Sequence, residues 1–530
     1  MSGIINDESL AGLLKDPVNF QQIFWPNSVL TDYQVEILKS VQENKITVVP
    51  AGNKLGKDYV AAFCGIHFFC SRMPCRVVTT SVDGSQLNGV LWGEIRNFLQ
   101  TAAFPLPVHV NHQQLRQKMP DGTLRGNSEF IGRVVEKGEG LLGRHLPYGP
   151  NMEPRVLCII DEASGFDDGN YMGIDTWAHR ILIIGNPFPC ENFFKRLVQG
   201  GDKLSDAPHL KHDVKVIKVE AKMSPNVRLA HEEERLGRPL SRRIIVPGCM
   251  DIDDFNWRVK TYDPIKLAAG IYAEFYEGEE VRLFPDEWLR ISNEQADKLH
   301  RSPPKERRTL PRAMGIDTAE GGDNTVWTIV DRMGMLYQLS KRTRNTAVIK
   351  GQTIALMREY GIEPEGVMFD HGGGGKEHAD YLRDAGYDVR SVGFGESPSS
   401  PDEFIPGWVD PDDKKDLKQE KYIYKNKRAQ LYGVLRQVLD PNTKGESDVN
   451  NPVFGIPEKY GEVLRQLRPL PLKYDGEGRM FLPPKNKPTP NYKGDTIKDL
   501  IGHSPDESDS LALAVFSLVC KPTTITIGGF

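Results

Sequence analysis

Short runs of consecutive apolar, mostly β-branched residues recur through the first 220 positions: ITVV (46–49), CRVVTTSV (75–82), residues 129–135, VLCII (156–160), ILII (181–184) and VKVIKV (214–219). Runs without polar alternation predict strands buried on both faces, as in a parallel sheet. Helical patterns lie between them. In LTDYQVEILKSV, Thr31 or Asp32 can cap a helix whose Val35, Leu38 and Val41 share one face. YVAAFCGIHFF reads as a core helix, and SQLNGVLWGEIRNFLQ as another. Strands alternating with helices predict an α/β domain with a mostly parallel sheet over 1–220.

From 221 to 309 the chain turns polar and irregular, with a helical pattern near 228–243 and PPKERR at 303–308, and reads as a subdomain and linker. A second patterned region spans 310–530. RAMGIDTAEGGDNTVWTIVDRMGMLYQLS reads as a two-stranded hairpin, followed by the helix TAVIKGQTIALMREYG and the strand GVMFD. An amphipathic apolar helix, SPDESDSLALAVFSLV, comes near the end. A hairpin, a helix, a strand and a C-terminal helix fit an RNase H-like fold.

Candidate chemistry collects where these strands end. After Ile46–Val49, Pro50 has no N–H to continue the ladder. Ala51, Gly52, Asn53, Lys54, Leu55, Gly56, Lys57 and Asp58 then lead into the core helix. Strand, glycine loop, lysine and helix form a P-loop, which turns backbone N–H groups toward phosphates and reaches them with the lysine. Ala51 replaces the usual first glycine, and Asp58 stands where Ser or Thr would ligate magnesium. VLCIIDE ends in Asp161 and Glu162, placed to serve magnesium and to orient and deprotonate water. Asn186, after ILIIG, is placed to sense the γ-phosphate. Tyr33 and Gln34 suit an adenine, by stacking and by edge recognition, or equally a plain first helical turn. Arg144, in the glycine-rich EKGEGLLGRH, reads either as a γ-phosphate contact or as a surface arginine.

In the second half the carboxylates carry the chemistry. Asp317 lies on a strand, Asp370 ends another, and Asp506 and Asp509 fall on one face at the start of the last helix. Two-metal hydrolysis of a phosphodiester needs several such carboxylates in common. Asp317, Asp370 and Asp509 are the expected set, with Asp506 the alternative third ligand. Glycines 372–375 leave backbone room for a metal or phosphate. KQEKYIYKNKRAQLYGVLRQVL (418–439) reads either as a DNA-contacting helix or as a solvated amphipathic one.

Composition narrows the class without naming it. Of 530 residues, 26% are charged and 39% hydrophobic, and the net charge is −5, so nucleic acid would be bound by local patches rather than bulk charge. No apolar run approaches the roughly 20 residues that span a bilayer, and the N-terminus lacks the basic-then-apolar order of a secretory signal. Seven cysteines, an odd number, suit reduced thiols and a cytoplasmic setting. Cys64, His67, Cys70 and Cys75 have metal-like spacing, but all except Cys75 fall in the apolar helix and read as core side chains.

Taken together, AGNKLGKD, VLCIIDE, IIGNP, MGIDTAEGGDNT, MFDHGGGG and SPDESDS, in that order, resemble the large terminase subunits of tailed bacteriophages. The resemblance implies an N-terminal P-loop ATPase domain followed by a C-terminal RNase H-like nuclease domain. It implies ATP and Mg2+ as cofactors, with two ions, Mg2+ or Mn2+, at the nuclease. Its partners would be double-stranded DNA, a procapsid portal, a small terminase subunit and further copies in a ring, with no membrane, in the host cytoplasm. On that pattern Lys57 contacts phosphate, Asp161 and Glu162 serve magnesium and water, Asn186 couples hydrolysis to motion, and Arg144 is an arginine finger. Asp317, Asp370 and Asp509 hold the nuclease metals. The rivals are a helicase or repair ATPase with an attached nuclease, and a non-catalytic DNA-binding scaffold.

Overall fold

The computed structural model describes residues 12–82, 84, 87–134, 145–149, 152–200, 214–319, 324–399, 404–406, 423–441, 453–490, 492 and 494–522. The chain divides between Glu277 and Gly278 into two compact units.

The apolar runs of the first unit become β1 (Ile46–Pro50), β2 (Arg76–Ser81), β5 (Glu129–Val134), β6 (Val156–Ile160), β7 (Arg180–Gly185) and β8 (Val214–Val216), with a hairpin of β3 (Val108–Asn111) and β4 (Gln114–Gln117). They form one eight-stranded sheet ordered β3-β4-β5-β2-β6-β7-β1-β8. All pairs from β5 to β8 are parallel, and the hairpin adds an antiparallel edge. Burial of β1, β6 and β7 on both faces accounts for their unbroken apolar sequences. Pro50 does not stop the ladder: it pairs with Gly185, its carbonyl accepts from Val219 N at 2.9 Å, and Ala51 continues the pairing by donating to the Gly185 carbonyl at 3.0 Å, so the strand gives way to the loop only after Ala51.

Helix α1 (Asp32–Glu43) begins with a reciprocal capping box between Thr31 and Gln34. Helix α2 (Lys57–Cys70) is buried from Val60 to Phe69. Its cysteines are free, and His67 Nε2 lies 3.2 Å from the Leu14 carbonyl. Among the described residues no His, Cys, Asp and Glu group is drawn together as a metal cage, and Cys64, His67 and Cys75 pack as core.

The second unit is built on β9 (Arg312–Asp317), β10 (Thr325–Asp331), β11 (Gly334–Lys341), β12 (Val367–Asp370) and β13 (Arg390–Val392), in the order β11-β10-β9-β12-β13. The first three strands are antiparallel neighbours and the last two join in parallel, the RNase H-like arrangement. Three strands stand where the apolar pattern indicates a two-stranded hairpin. Thr325–Asp331 is wholly buried between two neighbours, so its sequence lacks the alternation that would set it apart. Helix α4 (Asp506–Val519) lies across this sheet. Gly315 permits the contact, since a Cβ there would sit 2.1 Å from the Ser510 carbonyl oxygen, and Ser510 Oγ donates to the Gly315 carbonyl at 3.0 Å.

The 221–309 stretch is not a separate linker. Up to Glu277 it belongs to the first unit and hydrogen-bonds the P-loop: Asn53 N donates to Gly270 O and Met250 N to Lys54 O, both at 2.8 Å. Its helical pattern near 228–243 yields the helix Pro225–Arg235. The helix Asp286–Arg301 belongs to the second unit, where Ser292 Oγ donates to the Phe454 carbonyl at 2.7 Å. Among the described residues no helix is long and apolar enough to cross a membrane.

Candidate functional sites

Strands β6, β7 and β1 are adjacent and parallel, so the turns after them open on one side of the sheet. That is the end of a parallel sheet where ligands bind. Lys57, in the first turn of α2, donates from Nζ to Asn186 Oδ1 at 2.6 Å and lies 3.3 Å from Glu162 Oε1. Asn186 is buried and donates from Nδ2 to the Ala51 carbonyl (2.7 Å) and to Asn53 Oδ1 (3.2 Å). Asp161 Oδ1 accepts from Glu162 N, while Asp161 Oδ2 is buried with no hydrogen-bond partner among the described residues.

The backbone is bent to make this site. Lys54 (φ 53°) and Gly56 (φ 68°) are left-handed, turning the loop into a concave nest. Glu162 is left-handed as well (φ 52°), a rare conformation for a side-chain residue and one found at functional turns. Gly185 makes room for it, because a Cβ there would lie 2.8 Å from Ala163 N.

Charge sets the protonation states. Burial alone would lower the Lys57 ammonium, but Glu162, Asp58 and Asp161 outweigh it and hold the group above its ordinary range. Burial raises the Asp58 carboxyl, with Lys57 opposing and Glu162 adding to it. Asp161 is raised well above the usual carboxylate range by burial and then by Asp58 and Glu162. Three carboxylates around one ammonium, one of them with an orphaned oxygen, fit a magnesium–phosphate ligand.

Tyr33 and Gln34 are brought to the loop but do not present an open face for a base. Tyr33 is 4% exposed and donates to the Leu55 carbonyl at 2.9 Å. Gln34 accepts from Thr31 N and donates to the Gly56 carbonyl at 3.4 Å. Both brace the P-loop from beneath. Arg144 lies outside the described residues.

In the second unit, β9 and β12 are parallel neighbours with Phe369 beside Ile316, so Asp370 and Asp317 emerge side by side at the strand ends. The start of α4 adds Asp506 and Asp509. All four carboxylates are buried. Lys485, which the sequence patterns do not single out, enters among them: its Nζ is 3.6 Å from Asp506 Oδ1, 3.6 Å from Asp509 Oδ2 and 4.0 Å from Asp317 Oδ2. Asp317 Oδ2 has no hydrogen-bond partner among the described residues. Burial raises Asp317 well above the carboxylate range; Lys485 opposes this, and Asp509, Asp370 and Asp506 add to it. Burial raises Asp370 too, followed by Asp509. Hard carboxylate oxygens with one orphaned buried acceptor are the donor chemistry of Mg2+ or Mn2+, while among the described residues the four are not drawn together as a metal cage and the Lys485 ammonium stands among them.

Two further expectations change. The space beside Gly372, Gly373 and Gly375 is filled by protein: a Cβ on Gly373 would lie 1.8 Å from the Thr318 carbonyl oxygen, and one on Gly375 1.9 Å from that of Asp370. These glycines let the turn close against the strand ends rather than leave room for a ligand. In the 418–439 stretch, 418–422 lie outside the described residues, and helix α3 (Lys427–Leu439) is buried along most of its length. It is neither a solvated helix nor an open DNA-contact face. Arg428 on its first turn reaches Asp509 instead, at 2.7 Å. A basic residue preceding an apolar helix carries no sign of that inward direction.

No family model and no curated protein matches the chain. Solved structures do. A large terminase from a thermophilic bacteriophage aligns at 9% identity over 92% of this chain and 99% of its own, with a TM-score of 0.47. The nuclease domain of the large terminase subunit of bacterial virus Sf6 aligns at 16% identity over 44% of this chain and 98% of its own, with a TM-score of 0.33. The large terminase ATPase domain of Thermus phage P74-26, in a mutant form, aligns at 14% identity over 48% of this chain and 98% of its own, with a TM-score of 0.32.

Proposed function

We propose that this chain is the large subunit of a tailed-phage terminase. It hydrolyses ATP to drive double-stranded DNA into a procapsid and cuts concatemeric DNA by metal-dependent phosphodiester hydrolysis. One observation carries the reading: a single chain joins a P-loop unit, in which Lys57 touches both Glu162 and Asn186, to an RNase H-like unit with four buried carboxylates, three of them within 4.0 Å of Lys485 Nζ.

At the first site the loop N–H groups and Lys57 would bind the polyphosphate, and Asp161, with Asp58 beside it, would hold the nucleotide's magnesium. That ion would neutralise phosphate charge and fix the phosphate geometry. Phosphate drawing Lys57 away leaves the Glu162 carboxylate free to accept a proton from the attacking water. Asn186, hydrogen-bonded to Lys57 and the loop carbonyl, feels that displacement directly.

At the second site Asp317, Asp370 and the Asp506/Asp509 pair would hold two Mg2+ or Mn2+ ions, which supply an activated water and stabilise the leaving oxygen. Burial and mutual repulsion make these carboxylates demand a cation, and Lys485 meets part of that demand. A portal, a small subunit, a ring of copies and the host cytoplasm belong to this proposal as the setting in which such a motor works.

ATP hydrolysis and plasmid cleavage with Mn2+ or Mg2+ test it, comparing the wild-type chain with Lys57→Ala and Asp370→Ala. Lys57→Ala should lose hydrolysis and keep cleavage; Asp370→Ala should do the reverse. A folded wild-type protein that neither hydrolyses ATP nor cuts DNA overturns the reading.

A further inference from the structure

A run of exposed cations stands at the same end of the second sheet as the buried carboxylates. Asp317, at the end of β9, lies opposite Val326, and the preceding residue of β10, Thr325, pairs with Lys341 at the end of β11. Lys341 is therefore two strands from Asp317, about 10 Å across the sheet. The chain continues Arg342-Thr343-Arg344, and Lys341, Arg342 and Arg344 are all exposed. Among the described residues none of the three is paired with a carboxylate.

This basic turn is tied to the site. Thr325 is buried; its Oγ1 donates to the Thr343 carbonyl at 2.8 Å and accepts from Ala319 N at 3.3 Å. The residue before it, Asn324, donates its backbone N–H to Asp506 Oδ2 at 3.1 Å. On the other side Asn345 N donates to Thr343 Oγ1 at 3.2 Å, and the Asn345 side chain caps the helix Thr346–Tyr360. Arg342 and Arg344 thus flank a residue held from both directions.

We propose that Lys341, Arg342 and Arg344 form a backbone-binding rim of the nuclease site, which grips phosphates of duplex DNA beside the phosphodiester that is cut. The proposal rests on the nuclease reading of the carboxylates. Four buried carboxylates repel an approaching phosphate, and a net charge of −5 offers no bulk attraction in return. Cations fixed beside the site supply that attraction locally. A separation of about 10 Å matches a duplex whose grooves are about 6 and 12 Å wide, so one molecule of DNA can meet both. Helix α3, the other basic stretch, is buried and cannot take this role. Contacts of this kind position the duplex and read no sequence.

The experiment is fluorescence anisotropy of a labelled DNA duplex with the full chain, without divalent metal so that nothing is cut, titrated at several salt concentrations. Arg342→Gln/Arg344→Gln should reduce the slope of log affinity against log salt by about two, close to one for each lost phosphate contact. Arg342→Lys/Arg344→Lys keeps the charge and should keep the slope. Arg290→Gln removes an arginine already bound to Glu287 and Glu294, and should leave the slope as in wild type. With Mn2+ added, the glutamine pair should raise the DNA concentration for half-maximal cleavage several-fold.

If wild type binds and cuts DNA and the glutamine pair matches it in slope, the proposal fails while the nuclease reading stands. A lysine pair that loses as much as the glutamine pair, or an equal loss in Arg290→Gln, overturns it too. If wild type cuts no DNA, both fall.

Discussion

The Lys57 ammonium donates to Asn186 Oδ1 at 2.6 Å, and the Asn186 amide nitrogen donates to the Ala51 carbonyl at 2.7 Å. One buried amide thus holds both the lysine and the first turn of the P-loop. Replacing it with alanine leaves Lys57 bound to Glu162 alone, 3.3 Å away, and lets the loop carbonyl turn. Asn186→Ala should lower kcat for ATP hydrolysis by about 10²-fold with a smaller change in KM, the pattern for a group that positions charge in the transition state. Steady-state kinetics check it, and an unchanged kcat would remove Asn186 from the mechanism.

Asp58 puts a third carboxylate beside Lys57, along with Asp161 and Glu162, and burial raises its pKa. A hydroxyl at that position keeps an oxygen for magnesium without the repulsion of the phosphates. Asp58→Thr should tighten Mg–ATP binding by about tenfold, a change of about one pKa unit in electrostatic terms. Titration with a fluorescent ATP analogue measures it. Weaker binding would show that the carboxylate itself is needed to hold the ion.

Much of this was legible in the sequence, for stated reasons. Strands buried on both faces leave unbroken apolar runs, so β1, β6 and β7 and the polar residues after them could be read directly. Asp317 and Asp370 followed from the same rule. What escaped reading depends on side-chain direction rather than pattern. Lys485 lies in a proline-rich stretch and Arg428 in a basic one, and only the packing turns them toward Asp509. Tyr33 and Gln34 read as the first turn of a helix, which they form, but their burial against the loop is a tertiary fact. The role of glycines 372–375 was hidden likewise, because sequence shows that a side chain is missing and not what fills its place.

Gly315 tests how tightly α4 is held to the sheet. A Cβ there would lie 2.1 Å from Ser510 O and 2.4 Å from Ala514 N, both backbone atoms of a packed helix that cannot yield locally. Gly315→Ala should destabilise the second unit by about 3 kcal/mol. It should also weaken Mn2+ binding, because Asp506 and Asp317 are drawn apart. Chemical denaturation and calorimetry would detect both effects; a variant as stable as wild type would mean that the helix is not seated as described.

His67 provides a pH signature for the first unit. Burial lowers its pKa from the ordinary 6.5 to about 4, with Arg72 adding to the effect. Between those values the unfolded chain binds a proton that the folded chain refuses. Stability therefore rises with pH through that window, is fully present above about 6.5, and is lost as the pH falls toward 4. The contribution is about 3 kcal/mol. Denaturation across pH 4 to 7 should show this slope in wild type and a flatter one in His67→Phe. Parallel slopes would assign the acid sensitivity to other groups.

Lys485 separates the roles of cation and carboxylate in the nuclease unit. Its ammonium lies within 4.0 Å of Asp317, Asp506 and Asp509; burial alone would lower its pKa, but Asp509 and Asp317 hold it raised. Removing it exposes Asp317 and Asp506 to each other's charge, while Asp509 keeps Arg428. Lys485→Ala should therefore cost about 2 kcal/mol of stability without metal, less than a fully buried pair because the lysine is partly exposed. Added Mn2+ should return that loss, since a divalent ion meets the same demand more fully, and the metal-induced rise in melting temperature should be larger than in wild type. Melting curves with and without Mn2+ decide it. An equal rise in both proteins would mean that lysine and metal do not compete for these carboxylates.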